Sequence, residues 1–118
     1  MSTKQSDVQF RMRVYRDAAI AIGPGRITLL EAIDQTGSIS AAARLLKMSY
    51  RRAWLLVNET NNSLKRPAVT SSEGGASGGG SQLTETGRAI IRHYRNIEAI
   101  AAEAAQAEIK ALTAMIAQ

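Results

Sequence analysis

The chain has 118 residues, 45% of them hydrophobic, a formal net charge of +5 and no Cys. These values describe one small globular domain over 1–118, and they exclude two separate cores, an unfolded chain, a disulfide framework and a thiolate metal site. The longest apolar run, "AAIAI" at 18–22, is too short to cross a bilayer, and "MSTKQSD" lacks the apolar stretch of a signal peptide, so a cytoplasmic protein with no membrane partner is expected.

The first predicted element is a strand. "VQFRMRVYR" at 8–16 alternates Val8, Phe10, Met12 and Val14 with Gln9, Arg11, Arg13 and Tyr15, the period of a half-buried strand. "AIAI" at 19–22 is its expected partner. "GPG" at 23–25 punctuates the chain, and Pro24 suits a helix's first turn. From Arg26 to Thr36 apolar residues recur at helical spacing, with Glu31 and Asp34 facing out as an exposed pair, and Gly37 ends the helix as a left-handed cap. Ser38 or Ser40 caps a short second helix, "AAARLL", that ends near Lys47. Ser49 caps a third, running to about Leu64, where Pro67 stops it.

"AVTSS" (68–72) and "SQL" (81–83) are short β-prone pieces around "EGGASGGG", which reads as a hairpin over about 68–84 with a tip expected to be mobile. Thr84 then caps a final helix over about 85–116, roughly 48 Å long. The expected fold is therefore mostly α with a small β component.

Two helices joined by a three- or four-residue turn form a helix-turn-helix unit. The alanines at 41–43 allow close crossing, Leu45 and Leu46 plug it, and Met48 packs beneath the turn. On the third helix Ala53, Trp54, Val57 and Leu64 form an expected core stripe, with Trp54 as the anchor. Arg51, Leu55, Asn58 and Asn62 form a second stripe, and Arg51 and Arg52 project from the first turn. The first turn of such a helix meets base edges in a major groove, where Arg pairs with guanine and Asn with adenine. Lys47 stands where a turn glycine is expected; a left-handed Lys costs about 1 kcal/mol.

Between Arg44 and Arg66 the cations are Arg44, Lys47, Arg51, Arg52, Lys65 and Arg66, against Glu59 alone, a local net charge of +5. Charge by itself leaves open a solvated face or a polyanionic partner. The position of the arginines favours double-stranded DNA. Ser38, Ser40, Lys47, Ser49, Tyr50, Arg51, Arg52, Asn58, Lys65 and Arg66 are the candidate contacts on the helices and their flanks.

The glycine-rich run is not a nucleotide-binding loop, because Gly80 stands where that motif requires Lys. An interdomain linker fits its composition, but the rest of the chain reads as one helix without a core of its own. The preferred reading is a wing beside the third helix, with Ser72, Gly75, Ser77 and Gly79 approaching phosphates. His93, the only histidine, has no acid-base partner; Glu98, Glu103 and Glu108 spiral around the last helix rather than converge. No enzyme, metal site or cofactor is expected. The far half of the last helix, with Ile100, Leu112 and Met115, needs a partner, and a homodimer supplies one.

"GSISAAARLLKMSYRRAWLLVNETN", followed by "GGASGGG" and "LTETGRAII", resembles the N-terminal DNA-binding domain of the ModE family of molybdate-responsive transcriptional regulators. The Ser-Tyr-basic-x-Ala-Trp stretch (49–54), the glycine-rich run and the Leu-Thr-x-x-Gly helix start carry the resemblance, over about residues 26–95. A looser likeness to LysR-type regulators covers "GSISAAARLL" and "LTETG". The resemblance implies a dimeric winged helix-turn-helix that binds an operator, often as a repressor, through Ser49, Tyr50, Arg51, Arg52 and the wing. The family senses molybdate through C-terminal modules that the chain, ending at Gln118, has no room for, so direct molybdate binding is not expected. The competing expectations are a protein-interaction winged helix and a nonspecific architectural DNA binder.

Overall fold

The computed structural model describes residues 7–75 and 78–117, with only the backbone described over 72–79. Strands β1 (Val14–Arg16) and β2 (Ala19–Ile22) pair antiparallel. The strand expected from residue 8 is thus confined to its end, and residues 7–13 have no regular secondary structure. That segment is nevertheless fastened: the buried Tyr94 donates its hydroxyl to the Met12 carbonyl at 2.8 Å, and burial raises the Tyr94 pKa.

Helix α1 (Pro24–Thr36) begins with proline at its first position and ends at Gly37, whose φ of 82° is the left-handed region. The Gly37 N–H returns to the Ile33 carbonyl. Ser38 caps α2 (Ile39–Leu45) by accepting from the Ala41 N–H at 3.0 Å, and Ser49 caps α3 (Tyr50–Asn62) by accepting from the Arg52 N–H at 3.1 Å. The core gathers Ile27, Leu29, Leu30 and Ile33 of α1 against Ala42 and Ala43 of α2 and Ala53 and Val57 of α3. Alanine at the crossings lets these three helices approach closely, as their small side chains predict.

Strands β3 (Val69–Gly75) and β4 (Gly78–Leu83) form the expected hairpin, in register from Val69 opposite Leu83 to Ser72 opposite Gly80. The ladder extends into the glycine run as far as Gly75 opposite Gly78; the tip at 76–77 lies outside the described residues. The Ser81 N–H donates to the Gly37 carbonyl at 3.0 Å, joining β4 to the turn between α1 and α2.

Thr84 caps α4 (Glu85–Ala104) and joins it to the hairpin. Its hydroxyl accepts from the Gly87 N–H at 3.0 Å and donates to the Pro67 carbonyl at 2.7 Å, while its own N–H donates to the Ala68 carbonyl at 2.9 Å. The Leu-Thr-x-x-Gly pattern is therefore a local device: threonine for the cap, and glycine because a side chain there would strike the Ala68 carbonyl.

The long helix does not run unbroken to 116. Ala105, at φ −95° and ψ 6°, separates α4 from α5 (Gln106–Thr113), and no glycine or proline in the sequence marks the break. Glu31 is also not a free acid on α1. Arg95 of α4 grips it with two bonds of 2.9 and 2.6 Å and reaches Glu98 at 2.7 Å, and these bonds raise the Arg95 pKa. The pair pins α4 across α1. Beyond that pin α4 and α5 project: the radius of gyration is 17.4 Å, against roughly 13–14 Å for a compact chain of this length.

Candidate nucleic-acid interface

The turn between α2 and α3 is built by backbone bonds rather than by glycine. Met48 N–H donates to the Ala43 carbonyl at 2.9 Å, and Lys47 N–H to that of Arg44 at 3.2 Å. This is the Schellman pattern, and it requires a left-handed residue at position 47. Lys47 adopts it, at φ 57°. Met48 and Leu46 pack on the core as expected, but Leu45 points outward and is exposed, so Leu46 alone of the two leucines fills the crossing.

α3 meets the core through Ala53, Val57 and Thr60, with Leu56 and Leu64 partly buried beside them. Trp54 is not the anchor expected of it. It is 45% exposed, because it sits one residue, about 100°, around the helix from Ala53, and the close packing of the small Ala53 fixes which face turns inward.

The outward face of α3 begins with Tyr50, Arg51 and Arg52, all exposed, and Lys47 and Ser49 lie exposed just before it. These five residues run through the turn and the first helical turn, interrupted by Met48, which packs on the core. Among the described residues none of Lys47, Arg51, Arg52, Lys65 and Arg66 makes a side-chain ion pair or hydrogen bond, while Arg44 touches the exposed Ser40 hydroxyl at 3.5 Å. The one acid of the segment is already engaged: Glu59 pairs with Arg26 of α1 at 2.8 Å. That distant partner leaves the excess positive charge of residues 44–66 unopposed. The amides of Tyr50 and Arg51, at the start of α3, have no acceptor within the helix.

Ser38 is half-buried and its hydroxyl oxygen is used as the α2 cap. Asn58 lies two turns along α3 and donates its amide to the Trp54 carbonyl at 3.0 Å, so its side chain is partly tied to its own helix. Lys65 and Arg66 are exposed past the far end of α3, and about 16 Å of helix separates Arg51 from that end at Asn62. The cations therefore bracket α3 rather than form one patch. Ser72, Gly75 and Gly79 lie on the hairpin strands, where only the backbone is described, and Ser77 lies outside the described residues altogether.

A residue that the sequence patterns do not single out, Asn61, fixes the hairpin to α3. It accepts from the Ala68 and Val69 N–H groups at 2.8 and 3.2 Å and donates to the Val69 carbonyl at 3.0 Å. A signal for it exists in the sequence: it is a polar residue four positions after Val57, within the buried stripe. Arg16 adds a bond from β1 to the Asn62 carbonyl at 3.2 Å, at the end of the same helix. Among the described residues there is no cluster of metal-binding side chains and no helix long and apolar enough to cross a membrane.

No family model matches the chain. It is 43% identical over 88 residues to a molybdenum transport protein ModE of Azotobacter vinelandii, covering 75% of this chain and 33% of that protein. It is 50% identical over 78 residues to the molybdenum-pterin-binding protein MopB of Rhodobacter capsulatus, covering 66% and 29%. It is 41% identical over 71 residues to the DNA-binding transcriptional dual regulator ModE of Escherichia coli K12, covering 60% and 27%. The chain spans about one third of the length of these curated relatives, or less. Over the matched stretches it is ModE-like, similar to two proteins named ModE and to MopB, two of the three being tied by name to molybdenum.

Proposed function

We propose that the chain is the DNA-binding part of a ModE-type transcriptional regulator, a winged helix-turn-helix that lays α3 in the major groove of double-stranded DNA. The observation that carries this reading is the run of Lys47, Arg51 and Arg52 at the turn and the first turn of α3, none of them ion-paired among the described residues, with Glu59 paired to Arg26. Several relatives are named transcriptional regulators, and one of them DNA-binding, which supports it.

In this reading Arg51 reads a base edge. Lys47, Arg52, Lys65 and Arg66 hold phosphates, aided by Ser49, Tyr50 and the free amides at the start of α3. The β3–β4 hairpin is the wing, held to α3 by Asn61. Control of transcription is steric, and a repressor follows most simply.

The chain acts as a homodimer. α5 has no buried residue, and Ile97, Ile100, Leu112 and Met115 are exposed along the projecting α4–α5 arm. A different face of the arm borders, with residues 8–11, Pro24 and Thr28, an open groove of about 1150 Å³. A two-fold dimer also matches paired half-sites on DNA.

The test is a gel shift on genomic fragments and random duplex at two salt concentrations. Retention of a subset of fragments at the higher salt, where random duplex is released, is the expected result. Equal retention of all duplexes would favour an architectural binder, and no retention would favour a protein partner.

A further inference from the structure

α3 is arranged the wrong way round for a helix that only packs on a core. Its fully buried residues, Ala53, Val57 and Thr60, are small or medium-sized and only Leu56 adds a large side chain beside them, while Trp54 and Leu55 stand outward at 45% and 43% exposure. Trp54 is the only tryptophan of the chain, and a half-exposed tryptophan leaves a large apolar surface in water. Leu55 lies one turn after Arg51 and Trp54 one turn after Tyr50, so all four share the outward side of the helix.

The surroundings identify what covers this surface. Arg51 and Arg52 flank it, Arg44 and Lys47 precede it, and the only acid between 44 and 66 is held by Arg26. Cations leading into a small apolar surface complement a DNA major groove, whose walls are phosphate and whose apolar floor feature is the C5-methyl of thymine. Asn58, the polar neighbour on this face, donates to the Trp54 carbonyl, which leaves Trp54 and Leu55 as the free groups between Arg51 and the second turn.

We propose that Trp54 and Leu55 form an apolar reading surface that packs on thymine methyl groups, so that the chain selects duplexes carrying thymine at fixed positions of each half-site. The inference rests on the reading of α3 as the helix that enters the groove, and it adds the base class read there.

The test uses duplexes that the chain itself retains from genomic fragments, resynthesised with deoxyuridine in place of individual thymines. Uracil deletes the methyl and keeps every hydrogen-bonding group. At the contacted positions the unaltered chain binds the uracil duplex about fourfold more weakly per methyl removed. A Trp54→Ala, Leu55→Ala variant, its fold checked by circular dichroism, binds the thymine duplex as weakly and no longer distinguishes the two. Equal binding of thymine and uracil duplexes at every position by the unaltered chain overturns this inference and leaves the groove-binding reading standing. An undiminished thymine preference in the double variant also overturns it, since the methyls are then read elsewhere. Binding to no duplex at all overturns both readings.

Discussion

Gly87, in the first turn of α4, lies directly against the backbone carbonyl of Ala68 at the foot of the hairpin. A Cβ at this position would overlap the Ala68 oxygen and come within 3.2 Å of the carbonyl carbon. The obstacle is backbone, itself bonded to Thr84, and cannot swing aside as a side chain would. Helix propensity favours alanine over glycine by about 1 kcal/mol, but the overlap outweighs it. Gly87→Ala is expected to destabilise the fold by roughly 2–4 kcal/mol. Urea unfolding followed by circular dichroism measures it, and an unchanged or raised midpoint would contradict the packing described.

Asn61 joins α3 to the hairpin with three hydrogen bonds to Ala68 and Val69. Its replacement by alanine leaves partly buried backbone groups unpaired. Asn61→Ala is expected to cost roughly 2–4 kcal/mol. Asn61→Asp keeps the two acceptor bonds and loses the third, so it costs less. If the two variants unfold at the same urea concentration as the parent, Asn61 does not hold the hairpin.

Lys47 places stability and binding in opposition. Its φ of 57° is a conformation that glycine adopts freely, so Lys47→Gly is expected to stabilise the fold by about 0.5–1 kcal/mol. The same change removes a cation from the turn. Binding to all duplexes should weaken alike, with the salt dependence of log affinity flattened by about one. A variant more stable and equally tight on DNA would show that Lys47 makes no phosphate contact.

Much of this fold is legible in local chemistry. The Ser49 and Thr84 caps, the Gly37 terminus and the left-handed Lys47 each depend on a few consecutive residues, so sequence expresses them directly. Relationships between distant residues are not legible in this way. Arg26 and Glu59 are 33 positions apart, and their pairing is what changes a segment with one acid into one with no free acid. Trp54 faces outward against expectation because spacing defines the stripes of a helix but not the rotation of the helix against its neighbours. That rotation is set here by how closely Ala42, Ala43 and Ala53 allow the helices to cross. The break at Ala105 has no local signature at all.

Base reading by the first turn of α3 is tested most directly by comparing Arg51 with Lys65. Affinities of the parent, Arg51→Ala and Lys65→Ala are measured for one selected genomic fragment and for random duplex, each at two salt concentrations. Arg51→Ala is expected to lose about 1–3 kcal/mol on the selected fragment and far less on random duplex, while Lys65→Ala weakens both alike. Equal losses on both duplexes for Arg51→Ala would contradict base reading by the first turn of α3.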